Sequence, residues 1–308
     1  MHGVHALPVE LWSQILDFLS EEDLKTMFLV HRSFRARADS IIWQSLTLCT
    51  LQPGSIDKTQ AVLDNPDLAR HVKRLCLRPI NWDAADKVTP TTGFWIPTME
   101  RPRAPKRIKW SNPISSWRHH RQSLKSTQVL TKVTPLLTHI QEVIVTPNFQ
   151  DPNLGIPPLE PYRSVWVGLR TENLQKLSLQ LLTPGAIQVI SKAMRSASPL
   201  VFVSLCTLIL DLGIQRNVYP ELQEDLQAIL DCGRDYLRSL RIRSDLQETT
   251  WFALVIRAFG SFPKLVRFHL LSSFEPGDAH LEHYLLSFLL QHRRQLDEIL
   301  LYMDNRDL

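Results

Sequence analysis

A six-residue frame, apolar-x-x-apolar-x-apolar, constrains this chain more than any other feature. It recurs as VKRLCL (72–77), IQEVIV (140–145), LQKLSL (174–179), LCTLIL (205–210), LRSLRI (237–242), LVRFHL (265–270) and LDEILL (296–301). Successive starts are 68, 34, 31, 32, 28 and 31 residues apart. Apolar residues alternate within each frame, which predicts a short strand buried on one side. The first interval is twice the second, so one frame is expected to be missing or overwritten by an insertion. Helical stretches with start signals fall between the frames: Thr183-Pro184 precedes GAIQVISKAM, Tyr219-Pro220 precedes ELQEDLQAIL, and Glu275-Pro276-Gly277 precedes DAHLEHYLLSFLL. A strand and a helix every 28–34 residues predict a stack of α/β units, each burying its apolar face against its neighbours.

Strand side chains alternate between faces, so the residues between the apolar frame positions share the opposite face. They are Arg74, Cys76, Arg78; Glu142, Ile144, Thr146; Lys176, Ser178, Gln180; Thr207, Ile209, Asp211; Ser239, Arg241, Arg243; Arg267, His269, Leu271; and Glu298, Leu300, Tyr302. Both signs of charge occur among them, which suits protein recognition better than a nucleic-acid channel. Arg74, Arg78, Lys176, Gln180, Asp211, Arg241, Arg243, Arg267, His269 and Tyr302 are the candidate substrate-binding residues of this concave face.

The chain has 308 residues, 44% of them hydrophobic, enough for about two domains with a sizeable core. No apolar run approaches the roughly 18 residues needed to span a bilayer. The N-terminus lacks a basic segment followed by a long apolar one, so no signal peptide is expected. Cys49, Cys76, Cys206 and Cys232 are scattered without CxxC spacing, as in a reducing compartment. A cytoplasmic or nuclear location is therefore expected. The net charge of +4 conceals a local excess: residues 101–125 carry eight Lys/Arg and no Asp or Glu. The remainder carries 27 Lys+Arg against 31 Asp+Glu.

The opening HALPVELWSQILDFLSEEDLKTMFLVHRSFRARADSIIWQSLTL (5–48) reads differently. Pro8 suits the first helical position, where its missing N–H is no loss. Leu11, Ile15, Leu16 and Leu19 make one apolar stripe. Ser20 with Asp23 forms a capping-box-like start for a second helix carrying Leu24, Met27 and Phe28. Val30, Phe34, Ala38, Ile41 and Ile42 can face inward on a third. The pattern LPxEL(x3)IL(x2)L, then DL, LV(x)R(x)F and IIWxxLxL resembles an F-box. His31 and Phe34 replace the family's usual Cys and Trp, and Trp43 is in place. The later frames resemble the degenerate leucine-rich-repeat tails of fungal F-box proteins, although the repeat's Asn position is met only by Asn148.

That resemblance implies an α/β architecture with an N-terminal three-helix F-box at 1–48, followed by an irregular leucine-rich-repeat-like solenoid, or horseshoe, at 49–308. A doubly wound parallel sheet could use the same elements, but the common frame and spacing favour the horseshoe. The implied function is that of a non-catalytic substrate-recognition adaptor of a Skp/cullin/F-box ubiquitin ligase. Leu7, Pro8, Leu11, Ile15, Leu16, Leu19 and Leu24 would meet a Skp-type adaptor and, through it, a cullin and RING protein. The solenoid would hold an unknown target protein. Alternatives are an adaptor-binding scaffold without ubiquitin transfer, or a nucleic-acid-binding solenoid using the basic insertion.

That insertion, about 79–117, gathers six prolines with Trp82, Trp95, Trp110 and Trp117. It is expected to fold over the solenoid edge, or to hold an acidic segment or a phosphate backbone. No GxSxG, Walker, GxGxxG or HExxH pattern occurs, so no catalytic residue, metal site or cofactor is expected. His280 and His283, three apart, lack a third ligand candidate. Residues 294–308 are expected to form a weakly protected final strand.

Overall fold

The computed structural model describes residues 8–20, 23–24, 26–27, 39–48, 53–78, 129–146, 159–182, 184–197, 202–212, 221–244, 255–272 and 279–303. Among the described residues there are eight strands: β1 (Ser45–Leu48), β2 (Arg74–Leu77), β3 (Glu142–Val145), β4 (Lys176–Leu182), β5 (Thr207–Leu212), β6 (Ser239–Ser244), β7 (Arg267–Ser272) and β8 (Glu298–Met303). They form one sheet in the order β1-β2-β3-β4-β5-β6-β7-β8, and every pair is parallel. Helices α1 (Val9–Asp17), α2 (Pro53–Asp64), α3 (Leu159–Gly168), α4 (Pro184–Ser196), α5 (Leu222–Asp231) and α6 (Ala279–His292) lie between or before the strands.

The register explains why the frames recur. Arg74, Glu142, Lys176, Thr207, Ser239, Arg267 and Glu298 open their strands as successive cross-strand partners, with Ser45 ahead of them on β1. At each entry one carbonyl accepts two N–H groups from the following strand. The carbonyls of Gln44, Lys73, Gln141, Gln175, Cys206, Arg238 and Val266 all do so, at 2.8–3.1 Å. One irregularity falls between Leu179 and Leu182 of β4. The ladder places β1 and β8 at the two edges of the sheet. Closing eight strands into a barrel would need a staggered register, which this ladder does not have.

One face of the sheet carries the core. Leu75, Leu77, Val143, Val145, Leu177, Leu179, Leu208, Leu210, Leu240, Ile242, Phe268 and Leu270 are buried in one cluster. From the helical side it receives Tyr162, Trp166, Ile187, Ile190, Leu226, Ile229, Phe259 and Phe288. Helices α3, α4 and α5 pack in sequence, as the strands do. At the end of helical residues 255–259 the chain turns through Gly260 at φ +60°, where a side chain would be strained. A Cβ there would also come within 2.7 Å of Arg234 Nη1, which donates to the carbonyls of Phe259 (2.6 Å) and Ser261 (3.1 Å).

The expected architecture, a three-helix F-box followed by an irregular leucine-rich-repeat-like solenoid, is corrected to one all-parallel eight-stranded α/β sheet. Strand β1 lies within the stretch assigned to the helical module, and SLTL pairs in register with RLCL of β2. Its two apolar residues, Leu46 and Leu48, are buried in the main core. No strand lies between β2 and β3 in the sheet, because the two pair directly. The Pro/Trp-rich insertion and most of the expected third helix lie outside the described residues.

Candidate functional site

The alternate strand positions form a second, polar face. All ten candidate residues chosen there, Arg74, Arg78, Lys176, Gln180, Asp211, Arg241, Arg243, Arg267, His269 and Tyr302, lie on a strand or one residue beyond it. The register brings some of them together with carboxylates that were outside that choice.

At the β2–β4 end, Glu142 bridges two cations. Arg74 Nε reaches one carboxylate oxygen at 2.6 Å and Lys176 Nζ the other at 2.7 Å. Each cation sits on a strand adjacent to β3, so the in-register ladder aligns all three. Burial alone would raise the Glu142 carboxyl. Hydrogen bonds and positive charge from Lys176 and Arg74 outweigh it and hold the group below the usual carboxylate range.

A folded-state pKa below the unfolded one gives stability that is complete above the unfolded value and lost as pH falls through the folded value. Glu142→Gln is therefore expected to lower the melting temperature at pH 7. The gap to the parent protein should close as pH drops below about 4. Thermal melts between pH 7 and 3 measure this, and a pH-independent gap would contradict it.

At the β6–β8 end a second group forms. Arg241 Nη2 lies 3.3 Å from His269 Nδ1, and His269 Nε2 lies 2.7 Å from Glu298 Oε1. Guanidinium only donates, so the tautomer that satisfies both contacts carries its proton on Nε2 and accepts at Nδ1. Arg267 Nε stands 3.7 Å from the other Glu298 oxygen. His269 is buried, whereas Arg241 and Arg267 are exposed. Further along β3 and β4, beyond Glu142 and Lys176, Thr146 Oγ1 donates to Gln180 Oε1 at 2.9 Å. On β8 the apolar residues Leu300 and Tyr302 of this face are exposed, as are Ile299 and Leu301 of the other.

Other reactive groups serve structure. The Cys232 thiol is pushed up to about 11, first by burial and then by the neighbouring Asp231 charge, so it is protonated at neutral pH. Buried Tyr162 is raised by burial. His292 is buried, with Nε2 accepting from the Phe262 N–H at 2.9 Å and Nδ1 facing the Phe288 carbonyl at 2.8 Å. No group of three or more His, Cys, Asp or Glu among the described residues could hold a metal ion. His283 makes an edge contact with the Tyr284 ring, and the His280 side chain lies outside the described residues.

The residues expected to meet a Skp-type adaptor separate. Leu7 lies outside the described residues, and Pro8 caps α1, its carbonyl accepting from Leu11 and Trp12. Leu16 and Leu24 are buried in a small cluster with Trp12, Leu19, Met27, Ile41 and Ile42. Leu11 and Ile15 are exposed, at 44% and 41%. Ser20 Oγ accepts from the Asp23 N–H at 3.1 Å, as a helix start requires.

No family model matches the chain, and no curated protein matches it. Among solved structures, it is similar to a sugar phosphate isomerase/epimerase from Parabacteroides distasonis at 9% identity and a TM-score of 0.25, covering 86% of this chain and 87% of that one. A likeness this distant assigns this chain neither an activity nor a substrate. No F-box model matches, and strand β1, within the stretch assigned to the F-box, belongs to the parallel sheet instead. The F-box leucine-rich-repeat identification, the ubiquitin-ligase adaptor role, the expectation of a non-catalytic subunit and the Skp-type, cullin and RING partners are therefore withdrawn.

Proposed function

We propose that the polar face of the sheet is an anion-binding surface. One observation carries the reading: among the described residues, Arg74, Arg78, Lys176, Arg241, Arg243 and Arg267 share this face with only Glu142, Asp211 and Glu298. An in-register parallel ladder fixes the backbone positions of these cations on β2, β4, β6 and β7, with β6 and β7 adjacent, before a ligand arrives. Guanidinium groups bind carboxylates and phosphates through paired N–H donors, and a rigid scaffold lowers the entropy cost of doing so. No described helix is long and apolar enough to cross a membrane. A cytoplasmic or nuclear setting belongs to the same proposal, supported by the free thiols of Cys76, Cys206 and Cys232.

Calorimetric titration of the full chain with citrate tests the reading. Neutralising Arg241, Arg243 and Arg267 to Gln should weaken binding at least about tenfold. Arg257→Gln, an exposed change on helical residues 255–259, should leave it unchanged. Equal loss in both variants, or no binding by the parent, would refute the surface.

A further inference from the structure

The two carboxylates that bridge cations on the polar face differ in how firmly they are held. Glu142 has two short ionic contacts and a side chain only 14% exposed. Glu298 has one short contact, to His269, and one of 3.7 Å to Arg267, and its side chain is 53% exposed. Glu298 also lies on edge strand β8, which has a neighbouring strand on one side only. Glu142 is therefore fixed, whereas Glu298 can swing away at small cost.

Arg241 adds the second half of the argument. Its guanidinium meets the imidazole nitrogen His269 Nδ1 at 3.3 Å, while the Glu298 carboxylate reaches His269 and Arg267. A planar carboxylate has two oxygens and occupies two of these three donor groups. A phosphoryl group has three acceptor oxygens and about −1.5 to −2 charge at neutral pH, enough for the imidazole N–H, Arg267 and, once its guanidinium leaves Nδ1 on the opposite edge of the ring, Arg241.

We propose that Arg241, Arg267 and His269 form a receptor for the phosphoryl group of a ligand, and that Glu298 occupies it as a displaceable internal anion. The proposal rests on the anion-binding reading of the face. Ligand phosphate replaces the Glu298 carboxylate at His269 Nε2–H and Arg267 and draws the exposed Arg241 guanidinium away from Nδ1. The charged groups beside His269 are Arg241 on β6, Arg267 on its own strand, and Glu298 on β8. Two of these three are cations, so the site keeps positive charge once Glu298 leaves. Leu300, the cross-strand partner of His269 on β8, gives the receptor an apolar wall.

The test uses the full chain, with inorganic phosphate and O-phosphoserine as probes and acetate as the carboxylate control. Glu298→Gln removes the internal competitor and should tighten phosphate binding about tenfold, the effect of one charged hydrogen bond. Adding Arg241→Gln should reverse that gain. Arg241→Lys keeps the charge without the planar fork and should also lose most of it, so the outcome does not depend on one variant folding. Tighter binding of O-phosphoserine than of inorganic phosphate identifies a phosphorylated side chain as the source; the reverse identifies free phosphate. Phosphate affinity unchanged by Glu298→Gln, or acetate competing as well as phosphate, would overturn the proposal. If phosphate binding is instead lost in Arg74→Gln/Lys176→Gln, this receptor fails while the anion-binding face stands. Binding of no anion by any variant removes both.

Discussion

Replacing Phe288 by alanine is expected to destabilise the fold by about 3–5 kcal/mol, the range for removing a buried aromatic ring. Phe288 of α6 is 4% exposed and contacts four rings on three segments. Its ring centre lies 5.0 Å from Phe268 of β7, 5.6 Å from Phe259, 6.4 Å from Phe262 and 4.4 Å from His292. The loss is larger than that of an aliphatic truncation because the cavity would open beneath the last helix, where the sheet ends at β8. His292 shares the cavity wall and bonds the Phe262 N–H. Chemical denaturation measures the effect, and a loss below about 1 kcal/mol would mean that α6 does not close the core.

The second large effect is expected at Asp225. This carboxylate is buried on α5, accepting from Ser191 Oγ at 2.8 Å and from Arg195 Nη2 at 2.9 Å, both on α4. Asp225→Ala leaves Ser191 without that acceptor in a dry position and Arg195 without its anion. About 2–4 kcal/mol of destabilisation is expected. Arg195 is half exposed and can turn to water, so Arg195→Ala alone should cost less. The double variant should fall short of the sum of the single changes, because both remove the same contact. Additive losses would mean that the helices are joined elsewhere.

Both effects concern helix-to-helix and helix-to-strand packing, and here the sequence was informative to different degrees. Alternation in LQKLSL or LRSLRI marks a strand because one face is uniformly apolar, and all seven frames lie on or run into strands. SLTL of β1 escaped because it is four residues long and adjoins an apolar helical pattern. Only its pairing with RLCL reveals it. The polar face was legible for the same reason as the strands, since a period of two assigns both faces at once. Its pairings were not: Arg241, His269 and Glu298 are separated by 28 and 29 residues, and only the register sets them side by side. Choosing residues one at a time also passed over Glu142 and Glu298, whose importance lies in bridging cations on neighbouring strands. The F-box resemblance drew on a helical pattern that also serves the Leu16–Leu24 cluster, and apolar spacing does not separate a contact surface from a core.

The most direct measurement of the central claim follows the arginine Nε–H resonances of the full chain during titration with citrate and with phosphate. Arg74, Arg241, Arg243 and Arg267 project from the polar face, whereas Arg195 is tied to Asp225 and Arg234 to Asp231 and the Phe259 carbonyl in the helical layer. The account predicts saturable shifts for the face arginines, largest at Arg241 and Arg267, with Arg195 and Arg234 unmoved. Uniform shifts across all of them, or shifts confined to Arg195 and Arg234, would contradict it.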